Sequence, residues 1–252
     1  MKCTLFENDV ISIACIAEYK AHQSRLSVTV YNKSDYDVQN VAIDVPTAVP
    51  GEYCTIRVQP AVGNKIGSMD ELKVQIAIEA KKPFLGTFEH APSLNVRFSA
   101  NGGRNFNLPL RLPITPLSFS SPMPTNKDTY MQRWKSLEQD LAEYPARQVQ
   151  EVFSSAFPMN ETLLTKLRAN LIPKLNIGLA EGIDGPATIT GCCSYRMGTL
   201  GPDGNPTAVG AMIRLEADPS AGRWRVTVRA KHEIMSRACV NVLKGQLASV
   251  EK

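Results

Sequence analysis

The sequence predicts an α+β protein in which an immunoglobulin-like β-sandwich is followed by a platform subdomain with helices on an antiparallel sheet. Two observations predict this fold class. Apolar and polar residues alternate with a period of two through most of residues 1–114, as in half-buried strands. After residue 114 the apolar spacing changes to 3.6 and later returns to two, which indicates helices packed on a sheet. We therefore predict a β-sandwich at residues 1–114 and an α+β platform at residues 115–252.

Composition excludes several classes of protein. The 252 residues are 43% hydrophobic and 21% charged, with a formal net charge of +4. This balance suits a folded core and lies far from the strongly basic composition of a dedicated nucleic-acid binder. No segment has the ~20 apolar residues that a membrane helix needs. The six cysteines include no C-x-x-C pair and the three histidines lie far apart, so we expect free thiols, no metal and no cofactor.

The strands of the first part are predicted from alternation alone. Each places its apolar side chains on one face of a sheet and its polar side chains in water. The turn sequence Asn101-Gly102-Gly103 predicts a hairpin between the last two strands. The clearest segments are Leu26–Val30, Val41–Val45, Leu72–Ile78, Leu94–Phe98 and Phe106–Leu112.

Prolines 113, 116, 122 and 124 predict a linker into the second part. Thr125 and Asp128 fit a capping box at the start of a helix that carries Tyr130 and Trp134. Pro145 is expected to start a second helical segment, with Val149, Val152 and Phe153 on one face. Asn160 is expected to cap a third, from Glu161 to about Asn170. Strands are predicted near Leu175–Leu179, Ala187–Tyr195, Ala208–Glu216 and Arg223–Ala230, followed by a helix from about His232 to Leu247.

The hairpin formed by the last two predicted strands carries an unusual density of arginines. If Glu216 pairs with Arg223 across a loop at residues 217–222, then Arg214 lies opposite Arg225. Two arginines in that position repel each other unless an anion lies between them, and a guanidinium group suits a carboxylate or a phosphate. The alternative interpretation is a solvated sheet face on which Glu216 neutralises its neighbours.

A tryptophan on the first predicted helix is the second candidate feature. Met131 and Trp134 are three residues apart and are therefore neighbours on the helix surface. Core packing is the simplest interpretation of Trp134. At a junction of helix and sheet, its ring would instead form the wall of a pocket for an aromatic guest.

Several short motifs follow one another along the chain. They are Leu5-Phe6-Glu7-Asn8, Leu112-Pro113-Ile114-Thr115, Gln132-Arg133-Trp134-Lys135, Phe157-Pro158-Met159-Asn160 and Arg214-Leu215-Glu216, with Arg225, Thr227 and Arg229 beyond them. In this order they closely resemble the C-terminal appendage (ear) of alpha-adaptin, a large subunit of the plasma-membrane clathrin adaptor, adaptor protein complex 2. The resemblance covers nearly the whole chain. It implies a β-sandwich followed by a platform, and a chain that is part of a much longer subunit.

The resemblance also implies a function. It implies a non-catalytic appendage that recruits disordered endocytic accessory proteins during clathrin-mediated endocytosis, by binding Asp-Pro-Phe, Asp-Pro-Trp or Phe-x-Asp-x-Phe peptides on the platform. The implied location is the cytosolic face of the plasma membrane at clathrin-coated pits. There the parent subunit joins the rest of the heterotetrameric complex, with indirect membrane contact and no nucleic acid. The residues that match the family's peptide pocket are Trp134, Arg214, Glu216, Arg225 and Arg229, with Tyr130, Met131 and Gln148 as changed positions.

The sequence departs from the family in three places. Met131 replaces a pocket phenylalanine, and Gln148 stands where the family has a glutamate. About five extra residues follow the first helix, around Glu138–Tyr144. The key residues of the family's second peptide site, on the sandwich, fall on Thr29, on Ile16 and near Glu71, so that site is not expected to be retained.

Two alternative functions remain open at this stage. One is an appendage of another coat subunit, from beta-adaptin or coatomer, because those share the two-part architecture. The other is a nucleic-acid-binding domain with a basic patch at Arg223, Arg225, Arg229 and Lys231. An enzyme is not expected, since the sequence has no catalytic-triad order, no glycine-rich phosphate loop and no metal-ligand spacing.

Overall fold

The computed structural model describes residues 2–45, 53–59, 63–87, 91–100, 102–201, 204 and 206–248. Contacts between residues divide the chain into two compact units. The first unit contains Met1–Lys82 and Ala91–Ile114, and the second contains Pro83–His90 and Thr115–Lys252. A short segment from the first half of the sequence therefore groups with the second unit.

The first unit is a β-sandwich. Its strands are β1 (Lys2–Glu7), β2 (Ile11–Lys20), β3 (Gln23–Asn32), β4 (Gln39–Asp44), β5 (Cys54–Val58), β6 (Glu71–Ala80), β7 (Ser93–Ala100) and β8 (Arg104–Arg111). They form a five-stranded sheet in the order β1-β2-β3-β6-β5 and a three-stranded sheet in the order β4-β7-β8. All of the described pairings in this unit are antiparallel.

Burial in the sandwich follows the predicted alternation. Leu26, Val28 and Val30 are at most 1% exposed, whereas the residues between them reach solvent. The predicted hairpin between β7 and β8 is confirmed, with Ala100 opposite Arg104; Asn101, the first residue of its predicted turn, lies outside the described residues. The period of two thus places the sandwich core where the sequence indicates it.

The second unit is a mixed sheet with helices on both faces. Its strands are β9 (Ser120–Pro122), β10 (Thr125–Asn126), β11 (Gln148–Ser154), β12 (Gly178–Glu181), β13 (Thr188–Leu200), β14 (Pro206–Asp218) and β15 (Arg223–Ala230). Their order is β10-β12-β13-β14-β15-β11, and β9 pairs with β13. Its helices are α1 (Lys127–Gln139), α2 (Glu161–Lys166), α3 (Ile172–Lys174) and α4 (Glu233–Ala248), and a π-helical turn (Leu167–Leu171) joins α2 to α3.

Helices α1 and α4 lie on opposite faces of this sheet. Cys192 of β13 packs against Tyr130 of α1, whereas its neighbour Cys193 forms a side-chain hydrogen bond with Cys239 of α4. Successive residues of a strand point to opposite faces, so the two cysteines mark the two sides. The α4 side also receives the apolar residues of the β14–β15 hairpin, each at most 2% exposed: Ile213, Leu215, Trp224, Val226 and Val228.

Two predicted elements are wrong in detail. The helical segment predicted after Pro145 is a short 3₁₀ turn, Pro145–Arg147, followed by strand β11, which pairs with β15. Val149 and Phe153 are four residues apart, which fits one helical turn and also one face of a strand, and the pairing with β15 decides between them. Asn126, not Thr125, caps α1, because Thr125 is paired in β10 and the Asn126 side chain accepts a hydrogen bond from Thr129 N at 2.9 Å.

Other predicted features of this unit are confirmed, although the strand expected near Leu175–Leu179 begins only at Gly178, because Leu175 and Asn176 lie in a turn. Asn160 caps α2 by accepting a hydrogen bond from Leu163 N at 2.8 Å, and β15 has the predicted bounds. The six cysteines are free thiols. Within the described ranges, no helix combines the length and the hydropathy that crossing a membrane requires.

Candidate functional site

The predicted register of the β14–β15 hairpin is wrong by two residues. Glu216 lies opposite Arg225, and Arg214 lies opposite Thr227. Strand β14 continues to Asp218, whose carboxylate accepts hydrogen bonds from the Ser220 hydroxyl at 2.6 Å and from Ala221 N at 3.1 Å. This tight turn replaces the longer predicted loop. Because a shift of two residues keeps every side chain on its side of the sheet, the predicted polar face is retained.

On that face, Glu216 lies between two arginines in what we call the Arg–Glu–Arg cluster (Arg214, Glu216 and Arg225). Arg225 Nε and Nη2 donate to the two carboxylate oxygens of Glu216, each at 2.8 Å. Arg214 Nη2 lies 3.0 Å from Glu216 Oε1. The hydrogen bonds from Arg225, with the charges of both arginines, hold the pKa of Glu216 below its ordinary value, so it is ionised at neutral pH.

The Arg–Glu–Arg cluster retains capacity for a ligand. The side chains of Arg214 and Arg225 are 46% and 52% exposed, and that of Glu216 is 19% exposed. A guanidinium group has five N–H donors, and Glu216 engages only some of them. The cluster carries two positive charges and one negative charge, and it can therefore bind a further carboxylate.

Trp134 of α1 is held in place by two neighbours. The Arg229 Cζ atom lies 4.2 Å from the centroid of the Trp134 ring, which is a cation–π contact. The Tyr130 ring stacks on the indole with 5.7 Å between centroids and 15° between planes. Tyr130 is 2% exposed, and its hydroxyl donates to Ile213 O at 3.0 Å. Trp134 itself is half-buried, so a fixed indole presents part of its surface to solvent.

Arg229 lies beneath the tryptophan and is 7% exposed. Its Nε donates to Gln148 Oε1 at 2.7 Å, and its Nη1 donates to Trp134 O at 3.0 Å. Its Nη2 lies 3.3 Å from Glu138 Oε1. Arg229 and Gln148 therefore position Trp134 from below. The sequence reasoning missed Glu138 as part of this arrangement; it follows Trp134 by four residues, so the two share a helix face.

The hairpin register fixes the spacing between these groups. The Met212–Arg229 pair lies under Trp134, the Arg214–Thr227 pair follows two residues along, and the Glu216–Arg225 pair follows after four. At the usual strand rise these steps are roughly 7 and 13 Å. The structure thus brings seven of the eight predicted residues together, with Tyr130 and Arg229 buried beneath the surface that the others form. The eighth, Met131, is 40% exposed on α1.

Nothing in the described part of the chain groups three or more histidine, cysteine, aspartate or glutamate side chains closely enough to hold a metal ion. The buried thiols near the site are also poor ligands and nucleophiles: burial raises the pKa of Cys192 to about 12, so it stays protonated at neutral pH. This surface offers a ligand one aromatic ring and two exposed guanidinium groups.

The profile of the family described as "Alpha adaptin AP2, C-terminal domain" matches residues 118–247, just over half of the chain. The chain belongs to this family. Alpha-adaptin appendages are non-catalytic adaptor domains, and the match confirms the resemblance that the sequence motifs indicate. It also confirms the α+β fold class of a β-sandwich with a platform.

Individual relatives extend the comparison of this alpha-adaptin appendage. The AP-2 complex subunit alpha-2 of Dictyostelium discoideum is 23% identical over 244 residues, which is 96% of this chain and 22% of that protein. The chain therefore spans about a fifth of the length of that relative. Among solved structures, the GAE domain of yeast GGA1 matches with a TM-score of 0.36 and 19% identity, over 44% of this chain and 97% of that one. The GAE domain of GGA2p from Saccharomyces cerevisiae gives a TM-score of 0.35 and 15% identity, over 46% and 99%.

Proposed function

We propose that this appendage recruits endocytic accessory proteins by binding their Asp-Pro-Phe, Asp-Pro-Trp or Phe-x-Asp-x-Phe peptides on the platform. Its parent subunit would act within the heterotetrameric clathrin adaptor, at the cytosolic face of the plasma membrane in coated pits. Family membership supports an adaptor role, and the match of 96% of this chain to part of an AP-2 alpha subunit supports this complex.

The observation that carries the proposal is the half-buried Trp134 beside the Arg–Glu–Arg cluster. An extended peptide places residues i and i+2 about 7 Å apart. The Met212–Arg229 pair under Trp134 and the Arg214–Thr227 pair are separated by the same two-residue step along β14. A phenylalanine on the indole therefore brings an aspartate two residues away within reach of a guanidinium group.

The energetics predict weak individual contacts. Burying a phenyl ring contributes about 1.5–3 kcal/mol, and a charge-assisted hydrogen bond contributes about 1.5–3 kcal/mol. Association entropy offsets much of that sum. Several motifs on one disordered partner would raise the overall affinity, because each motif after the first binds at a high effective concentration.

The arrangement disfavours the nucleic-acid alternative. Of its four cations, Arg229 is 7% exposed and Arg225 is bound by Glu216 through two hydrogen bonds. The remaining two, Arg223 and Lys231, lie at opposite ends of β15. This leaves no continuous basic stripe along that strand for a phosphate backbone.

The test is a heteronuclear NMR titration with a nine-residue peptide containing one Asp-Pro-Phe motif. We expect shifts at the Trp134 indole N–H and at the amides of Arg214 and Arg225, and at least tenfold weaker binding for Trp134→Ala. Phe157→Ala is the matched control, because Phe157 is an exposed aromatic residue of the same unit. Unchanged binding by Trp134→Ala, or shifts confined to β1–β8, would contradict the proposed site.

A further inference from the structure

A second groove lies on the same sheet face, on the other flank of α1. Its volume is about 330 Å³, within the range of ligand pockets. The side chains of Met123, Cys192 and Met212 form its floor, α1 forms one wall, and Lys231 directly follows the end of β15. The residues that line it are Met123, Arg133, Ser136, Leu137, Cys192, Cys193, Gly210, Ala211, Met212 and Lys231.

The register shows how α1 separates this groove from the Arg–Glu–Arg cluster. Met212 packs against Tyr130 and lies opposite Arg229, so α1 crosses the sheet at this pair. Along β14, Arg214 and Glu216 follow Met212 on one side of the helix. Gly210 precedes Met212 and lies on the other side of the helix. Lys231 lies on that side as well, because it follows Ala230, which is paired with Ala211. One sheet face thus has two grooves that share α1 as their common wall.

The lining of the second groove selects a ligand chemistry. Three of the side chains that face it contain sulfur, those of Met123, Cys192 and Met212, and sulfur atoms make favourable contacts with aromatic rings. Arg133 and Lys231 are exposed at the groove, and no described acidic residue forms an ion pair with either. An apolar floor with two cations that lack an ion-pair partner is complementary to an aromatic side chain flanked by carboxylates.

Gly210 is what keeps the groove open. A Cβ atom built on Gly210 would have no atom within 4 Å, so that position faces empty space. Most side chains at this point of β14 would project into the groove. A larger side chain at residue 210 would therefore fill the groove without a steric clash.

We propose that this second groove is a separate peptide-binding site, which takes an aromatic residue next to aspartate or glutamate. The platform would then hold two motifs of one disordered partner, one on each flank of α1. The inference rests on the proposed function for the class of ligand, but it concerns a groove whose lining does not include Trp134 or the Arg–Glu–Arg cluster.

The decisive experiment is the titration of the single-motif peptide, read at two sets of NMR signals. The first set is the Trp134 indole with Arg214 and Arg225, and the second is the amides of Ser136, Ala211 and Lys231, which line the second groove. We expect both sets to shift in the wild type. In Gly210→Leu the second set should stay unshifted while the first keeps its affinity within about twofold, and in Trp134→Ala the reverse should hold. Lys231→Gln should weaken the second site about two- to fivefold.

Ala208→Leu is the matched control for Gly210→Leu, because Ala208 is exposed on the same face of β14 and does not line the groove. Thermal unfolding of both variants establishes that they fold. A second set that never shifts, or that follows the first set in every variant, overturns the second groove and leaves the proposed function intact. Loss of shifts in the first set alone overturns the Trp134 site and leaves the second groove standing.

A peptide with two Asp-Pro-Phe motifs joined by a Gly-Ser linker provides an independent readout. With both grooves available, we expect it to bind the wild type at least tenfold more tightly than the single-motif peptide. In Gly210→Leu the advantage should fall to about twofold, the statistical gain from two motifs competing for one site. An undiminished advantage in Gly210→Leu would show that the second motif binds elsewhere and would overturn the proposal.

Discussion

Arg229 is the residue on which the geometry of the Trp134 surface depends. Its guanidinium group contacts the indole ring, the backbone carbonyl of Trp134 and the side chains of Gln148 and Glu138. The planar guanidinium group of an arginine can contact all of these partners at once, whereas the ammonium group of a lysine cannot. The contribution of Arg229 to ligand binding is therefore indirect, through the position of the ring.

We predict that Arg229→Lys lowers the free energy of unfolding by about 1–3 kcal/mol, because buried acceptors lose their donors. It should also increase the mobility of the Trp134 ring, since lysine cannot stack on the indole in the same way. Urea unfolding and the line width of the indole N–H signal measure the two effects. Arg225→Lys, at an exposed arginine, is the control and should change stability by less than about 1 kcal/mol. Equal losses in both variants would contradict the positioning role.

At the residue scale, sequence reasoning predicted which side chains share the polar face but not how deeply they are buried. Alternation along β14 and β15 correctly placed Arg214, Glu216 and Arg225 on a polar face. It could not show that Arg229, on the same face, is covered by α1, since burial under a helix depends on tertiary contacts. Glu138 was missed for the same reason: its partner lies 91 residues away in sequence.

At the element scale, β12 closely approaches the backbone that joins β9 to β10. A Cβ atom on Gly178 would lie 2.4 Å from Pro124 N and 2.5 Å from Met123 C. Backbone atoms at such a distance cannot move aside as a flexible side chain does. Only glycine fits there without displacing the strands that support α1.

We therefore predict that Gly178→Ala lowers the free energy of unfolding by at least about 2 kcal/mol. Gly210→Ala, in the same sheet but with open space around its Cβ position, should change it by less than about 1 kcal/mol. Urea denaturation followed by tryptophan fluorescence compares the two. Equal stability of the two variants would contradict the close approach of the Gly178 backbone to Met123 and Pro124.

The elements show where periodicity is informative and where it is ambiguous. The long strands β3, β6 and β15 repeat their pattern often enough to exclude a helix. Strand β11 does not, because Val149 and Phe153 satisfy both periods and Val152, between them, is 57% exposed. The pairing of β11 with β15 is a long-range contact, and a local pattern carries no information about it.

At the scale of the whole molecule, the boundary between the units is not a single point in the sequence. Residues 83–90 group with the second unit. Phe84 is 4% exposed, and Asn241 Nδ2 of α4 donates to Leu85 O at 2.9 Å. The domains at 1–114 and 115–252 are read from a change in composition, which cannot reveal a segment that belongs with a later part of the chain. The division into a sandwich at 1–114 and a platform at 115–252 stays a prediction.

Both tryptophans, Trp134 and Trp224, belong to the second unit, so tryptophan fluorescence reports its unfolding. We predict that Phe84→Ala lowers the stability measured in this way by about 3–5 kcal/mol. Leu200→Ala, at a residue 67% exposed, is the control and should leave the transition where it is. A fluorescence transition that Phe84→Ala does not move would place residues 83–90 outside the cooperative unit.

The turn at Asp218 has a consequence for how the hairpin folds. Two registers of β14 against β15, two residues apart, bury the same apolar side chains and expose the same charges. The hydrophobic pattern therefore does not choose between them during folding. The hydrogen bonds that Asp218 accepts from Ser220 and Ala221 form the turn at one position of the chain. A hairpin that starts to form at this turn has only one of the two registers. A slipped hairpin would be a kinetic trap with a normal core in which Arg214 faces Arg225, and the short turn steers the refolding chain away from it.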